Sequence, residues 1–292
     1  MYKGSYVAII TPFKDDKLDE DGLRQNIKFL VDKGSSGIVA CATTGECPTL
    51  NDNEYERVIR IAVEETHNKV PVIAGAGTNS TEKTIRYIHR ATDFGAQGAL
   101  VVTPYYNKPT QEGLYQHYSE ISKASSIPII VYNVPGRTGC NILPRTIARL
   151  NQDCQNIVGL KAASGNLDQV SEVQRLCGDK FDILSGDDSL TFPMLAIGAK
   201  GVISVVANIL PDRIALMCTA FFNGDLKKAR EIHLDVFPVI KALFIETNPI
   251  PVKKAMELLG MPSGRPRLPL VEMGKENIPI LKKTLIDYGI EL

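Results

Sequence analysis

Eight short apolar runs recur along the chain, and their spacing restricts the fold more than any other feature. They read YVAIITP (6–12), GIVACAT (37–43), PVIAGAG (71–77), GALVVTP (98–104), PIIVYNV (128–134), IVGLKAA (157–163), FDILSGD (181–187) and GVISVVA (201–207). Segments with helical spacing lie between them, such as NEYERVIRIAVEETH and TEKTIRYIHRATDFG. Strands alternating with helices pair in parallel through crossovers. Most runs are apolar on both faces, as strands covered on both sides are. Eight such units predict a closed (β/α)8 TIM barrel. An open doubly wound sheet is the alternative, but its Gly-rich fingerprint is missing. The nearest stretch, GAGTNS, has Ser80 where a third Gly or Ala belongs.

After residue 208 the pattern changes. PDRIALMCTAFFNG reads as the barrel's last helix, and three helical stretches follow: DLKKAREIHLDVFPVIKALF, NPIPVKKAMELLG and GKENIPILKKTLIDYG. Asn248 with Pro249 reads as a helix start, N-cap then N1. The expected organisation is a catalytic barrel over 1–224 and a C-terminal helical extension over 225–292.

Charge excludes some function classes. Lys plus Arg and Asp plus Glu balance at 33 each, so nothing pulls the chain as a whole toward nucleic acid or an anionic membrane. No apolar run approaches the length of a membrane span, and the N-terminal stretch lacks a signal-peptide cleavage pattern. The six cysteines are scattered without a CxxC pair, which fits reduced thiols in a cytoplasmic protein.

In a TIM barrel the chemistry gathers at the C-terminal ends of the strands. Reading those ends in order gives Thr43, Thr44, Gly45 and Glu46, then Tyr105 and Tyr106, then Tyr132 and Asn133 with Arg137 beyond. Lys161 follows, then Gly186, Asp187 and Asp188, then Ile203 and Ser204. Histidine is absent from this set: His67, His89, His117 and His233 all fall in helix-like segments. A metal-dependent aldolase or hydrolase would need His and carboxylate ligands there, so no metal is expected. Asp187 and Asp188 before Ser189 read more simply as a helix N-terminus.

Lys161 stands inside a run that otherwise reads as a buried strand. Burying an ammonium is costly, and a desolvated amine loses proton affinity and becomes a nucleophile for a carbonyl carbon. Strand alternation puts Lys161 on the side of Gly159 and Ala163, whose small size leaves room for something else. The alternative is an internal salt bridge to Asp187 or Glu46. Tyr132 ends the neighbouring strand and offers a phenol for proton shuttling, or else a packed rim residue. Thr43-Thr44-Gly45 offers hydroxyls and backbone N–H groups to a small anion, with Thr44 as a helix N-cap the competing reading. Arg137 in PGRTG offers a bidentate carboxylate site or a solvated loop charge. Cys47 reads as a packing residue rather than a reactive thiol. Together these groups describe a metal-free, lysine-dependent aldol-type enzyme for a 2-oxo acid.

The chain resembles the dihydrodipicolinate synthase family, within the pyruvate-dependent class I aldolases that include N-acetylneuraminate lyase. The motifs GSYVAIITPF, TTGE, VTPYYNKPTQEGLYQH, YNVPGRTGC, GLKAASGN, LSGDD, GVISVVAN and NPIPVKKA carry the resemblance across essentially the whole chain. It implies condensation of pyruvate with L-aspartate-4-semialdehyde, in the pathway to diaminopimelate and lysine, without a cofactor. Lys161 would form the Schiff base and Tyr132 would be the general acid/base. Thr43 would link Tyr132 to Tyr106 donated by a neighbouring subunit. Thr44 and the following backbone at Gly45 would hold the pyruvate carboxylate, and Arg137 that of the semialdehyde. The Ile203 carbonyl would contact the lysine side, and Gly186 would line the pocket. The resemblance also implies a homotetramer, a dimer of dimers. A lyase for sialic or 2-oxo-3-deoxy sugar acids is the enzymatic alternative, and a catalytically silent barrel that senses a 2-oxo acid is the non-enzymatic one.

This chain departs from the family pattern at Ala42, where Gly is usual, and at Ala162, where Glu is usual; alternation points Ala162 away from Lys161. At the family's allosteric lysine site, Asn79 and Tyr105 match, but Asp52 and Tyr55 replace histidines and Lys83 replaces a glutamate. Weak inhibition by free L-lysine is therefore expected.

Overall fold

The computed structural model describes residues 1–292. Its elements in chain order begin with β1 (Gly4–Ala8), β2 (Phe13–Lys14), β3 (Lys17–Leu18), α1 (Glu20–Asp32), β4 (Gly37–Ala40), α2 (Asp52–Thr66) and β5 (Val72–Gly75). Next come α3 (Thr81–Asp93), β6 (Gly98–Val102), α4 (Gln111–Ala124), β7 (Ile129–Asn133), α5 (Pro135–Thr138), α6 (Pro144–Asp153) and β8 (Ile157–Ala162). The last are α7 (Leu167–Cys177), β9 (Asp182–Ser185), α8 (Thr191–Ile197), β10 (Gly201–Ser204), α9 (Pro211–Phe222), α10 (Leu226–Leu243), α11 (Ile250–Leu258) and α12 (Ile278–Asp287). The strand order β1-β10-β9-β8-β7-β6-β5-β4 closes a barrel, as the eight runs predict. By internal contacts the chain divides into two compact units, Met1–Lys3 with Ile73–Ile203, and Gly4–Val72 with Ser204–Leu292.

In the first unit parallel registers run from β6 to β9. Tyr132 on β7 lies opposite Val102 on β6 and Lys161 on β8, and Lys161 lies opposite Leu184 on β9. Facing alternation sends Val131, Leu160, Ala162 and Ile183 into the layer between strands and helices. There they pack with Ile121, Ile147, Leu150, Val170 and Val173. Ala162 thus belongs to the apolar layer, as alternation predicts. A glutamate there would have to bury its charge or leave the layer.

In the second unit β1 pairs with β4 in parallel, and β2 with β3 as a short hairpin. The apolar runs alone do not reveal this hairpin. Its strands are two residues each, below the length at which alternation shows, and the turn is carried by Asp15 and Asp16 at φ of +50° and +58°. Both residues occupy the left-handed region that a two-residue hairpin turn demands and that aspartate tolerates. A second difference lies at 248–250. The helix starts at Ile250, with Pro249 at the N-cap position and no side-chain cap, so Asn248 does not cap it.

Candidate active site

In the first unit the site is built on β7, β8 and the turn after β9. Lys161 is 4% exposed. Its register partner Tyr132 is also buried, and the Lys161 Nζ stands 4.3 Å from the centre of the Tyr132 ring. The salt bridge weighed for Lys161 is not formed. Asp187 caps the turn at 188–190 and accepts from Ser189 N and Oγ at 3.1 and 2.8 Å, while Glu46 pairs with Lys253. Room for the lysine stem comes from Gly186: a Cβ there would lie 3.0 Å from Lys161 Cγ and Cε and 2.9 Å from Ala163 Cβ. Gly159 serves a different purpose from the one its spacing suggests. A Cβ on it would stand 2.4 Å from the Asp182 carbonyl oxygen, so it permits close strand approach rather than ligand space. Ile203 is buried on β10.

Arg137 lies exposed on α5, whose surroundings are pinned. Thr138 Oγ1 donates to the Cys140 carbonyl at 2.9 Å and accepts from Thr103 Oγ1 at 3.3 Å. Asn133 Nδ2 donates to Asn141 Oδ1 at 2.7 Å, and Asn133 Oδ1 accepts from Ile142 N at 3.2 Å. A guanidinium on a short element between two such anchors is displayed with little backbone freedom. Tyr106 is 89% exposed at φ +74°, a strained conformation for a bulky residue of the kind that collects at functional sites. Tyr105 beside it is also exposed, Asn79 accepts from Asn107 Nδ2 at 2.9 Å through its carbonyl, and Lys83 is exposed on the first turn of α3.

In the second unit the turn after β4 carries Thr43, Thr44 and Gly45. It lies between Cys41 and Glu46, both left-handed at φ +54° and +53°. The Gly45 carbonyl accepts from Thr11 Oγ1 at 2.7 Å. Thr44 is 2% exposed and caps no helix; its hydroxyl oxygen accepts from Asn248 Nδ2 at 3.0 Å. Glu46 accepts from Lys253 Nζ at 2.7 Å and from Arg267 N at 2.9 Å. The 41–46 turn is therefore held at its middle and at its end. Asn248 and Lys253 are the members that residue spacing does not reveal, because their partners lie about 200 positions away in the chain. Burial pushes the Cys47 thiol up to about 11, so it is a packing residue rather than a nucleophile. Asp52 is exposed at the start of α2, whereas Tyr55 is only 1% exposed.

No His, Cys, Asp or Glu side chains gather in threes that could hold a metal ion. No helix is long and apolar enough to cross a membrane. A closed parallel barrel with an unpaired lysine on one strand and a tyrosine opposite it is the frame of a lysine-dependent aldolase. The chain matches the Dihydrodipicolinate synthetase family over residues 1–287 and belongs to it. A 4-hydroxy-tetrahydrodipicolinate synthase of Geotalea uraniireducens is 52% identical over 290 residues, covering 99% of this chain and 100% of that one. The crystal structure of the chloride-inhibited dihydrodipicolinate synthase of Acinetobacter baumannii complexed with pyruvate is 40% identical. It superposes at a TM-score of 0.96 over 99% of both chains. The enzyme of Cyanidioschyzon merolae, with lysine bound, is 38% identical at a TM-score of 0.96 over 99% of both chains. Full-length likeness to synthases does not favour the sugar-acid lyase alternative.

Proposed function

We propose that this chain condenses pyruvate with L-aspartate-4-semialdehyde through a Schiff base on Lys161. The observation that supports it most is a buried lysine with no ion pair, in a chain 52% identical to a 4-hydroxy-tetrahydrodipicolinate synthase. Its amine adds to the ketone carbon of pyruvate and the carbinolamine loses water. Loss of a methyl proton then gives an enamine, whose carbon attacks the aldehyde of the semialdehyde. The amine of the adduct displaces Lys161 by transimination and closes the ring, so no cofactor is consumed. Tyr132 moves protons onto and off the carbinolamine oxygen, because its ring lies beside the amine. Thr43 and a Tyr106 from a second copy complete that relay; the exposure and strain of Tyr106 support a role outside its own chain. Thr44 and Gly45 take the pyruvate carboxylate and Arg137 that of the semialdehyde, with Gly186 and the Ile203 carbonyl lining the pocket. A cytoplasmic homotetramer, a barrel over 1–224 with a helical extension over 225–292, and weak sensitivity to L-lysine complete this reading.

Incubation with pyruvate, with and without the semialdehyde, tests it. Condensation should require both, and borohydride with pyruvate should leave a reduced adduct on the Lys161 peptide. An adduct on another lysine, or cleavage of a sugar acid without condensation, would sink the proposal.

A further inference from the structure

Thr44 carries a hydroxyl whose direction is decided by another residue. It is 2% exposed, in a turn whose backbone is already fixed by the Thr11–Gly45 bond and the Glu46 anchors. The remaining freedom is rotation of the O–H. A hydroxyl has one proton to give and lone pairs to receive with. Asn248, itself 5% exposed, donates its Nδ2 to Thr44 Oγ1 at 3.0 Å. With that lone pair occupied, the Thr44 proton must be directed elsewhere. Asn248 does not cap a helix as its place in the sequence suggests, since α11 starts at Ile250 without a side-chain cap. Its amide bridges 204 positions of chain to reach the hydroxyl.

We infer that Asn248 is a positioning residue that makes the Thr44 hydroxyl a donor toward the carboxylate of the 2-oxo acid. The inference rests on the proposed function, in which Thr44 holds that carboxylate. Asparagine suits the task where aspartate would not. An ionised Asp at 248 would take the Thr44 proton for itself and add a negative charge beside an anion seat. The near-isosteric Asn248→Asp therefore reverses the polarity of one bond while conserving volume.

The experiment measures both Michaelis constants and kcat for wild type, Asn248→Asp, Thr44→Val and the double variant at pH 8. Asn248→Asp should raise the pyruvate KM by roughly tenfold to a hundredfold, the range of one hydrogen bond to a charged group. The semialdehyde KM should stay within about twofold, whereas a merely structural defect would lower kcat and disturb both substrates. In the Thr44→Val background Asn248→Asp should add nothing through the hydroxyl, so its effect should shrink severalfold. As pH falls and the new carboxyl protonates, it regains a donor and the pyruvate KM should recover toward wild type. Should Asn248→Asp fail to fold, Asn248→Ala frees the hydroxyl to rotate. It should raise the pyruvate KM about threefold or more, again only while Thr44 is present. An unchanged pyruvate KM, or an effect undiminished without the Thr44 hydroxyl, would overturn the role of Asn248. Wild type that neither condenses the substrates nor traps pyruvate on Lys161 would instead overturn the proposed function beneath it.

Discussion

Lys161 and Lys253 are buried to nearly the same depth, 4% and 2% exposed, in opposite surroundings. Lys253 Nζ pairs with Glu46 at 2.7 Å, donates to the carbonyls of Thr11 and Arg265 at 3.1 and 3.3 Å, and lies 4.4 Å from the Phe13 ring centre. All three of its protons have acceptors. Burial pushes its pKa down, and the Glu46 charge pulls it partly back. Lys161 has the Tyr132 ring and no carboxylate. A buried amine with every proton placed is a strut. One without such partners is poised to react, because its nitrogen has little else to bind.

The sharpest way to break this contrast is to remove each amine in turn. Lys161→Ala should lose activity by at least about a thousandfold, as removal of a covalent nucleophile does, with little change in Tm. Lys253→Met should act chiefly on stability. It leaves the Glu46 carboxylate buried without its cation, a loss of about 3–5 kcal/mol. Adding Glu46→Gln should recover part of it, because the orphaned charge is gone. Thermal melts and steady-state kinetics on the same preparations decide. If Lys161→Ala costs as much stability as Lys253→Met, the two lysines are not different in kind.

Arg137 sharpens the comparison from the exposed side. It is a cation displayed on a pinned short helix, so its removal should cost binding rather than folding. Arg137→Ala should raise the semialdehyde KM by about tenfold or more, the pyruvate KM by much less, and leave Tm within about a degree. Equal effects on both substrates would remove its assignment to the second carboxylate.

These residues also show what could be read from the chain. Lys161 was legible because a charge inside an apolar β run violates the local pattern, and Tyr132 followed from adjacent parallel strands. Lys253 was not legible. VKKA lies in a helical stretch where lysines read as solvated, and only tertiary packing shows that Lys253 is buried while Lys254 pairs locally with Glu257. Glu46 was legible only as a possible partner for Lys161, because its true cation is 207 positions away. Asn248 before Pro249 carries the local signal of a helix start, and a long-range acceptor outcompetes it. Gly159 was legible as small, but the Asp182 carbonyl that requires it belongs to another strand. Local rules therefore recover the barrel and its buried lysine, and miss the contacts that hold the 41–46 turn.

The smallest effect concerns free L-lysine, and it extends the comparison to a lysine arriving as ligand. The Cyanidioschyzon merolae relative has lysine bound. The allosteric lysine site that the family pattern implies would present a glutamate where this chain has Lys83 and histidines where it has Asp52 and Tyr55. Tyr55 is withdrawn into the interior at 1% exposure, and Lys83 is exposed at the first turn of α3. A ligand ammonium about 4 Å from Lys83 would be repelled by roughly 4 kcal/mol at an effective dielectric near 20. Solvent reduces this at an exposed site, yet a surviving third, about 1.4 kcal/mol, is still tenfold in affinity. Glu82 is adjacent and Asp52 is new, so a shifted pose would recover part of the loss. Titrating activity with L-lysine at saturating pyruvate and limiting semialdehyde should show half-inhibition only above the millimolar range. Lys83→Glu should lower that concentration. Submillimolar inhibition of the wild type, or a Lys83→Glu variant no more sensitive than wild type, would show that the charge reversal does not govern this site.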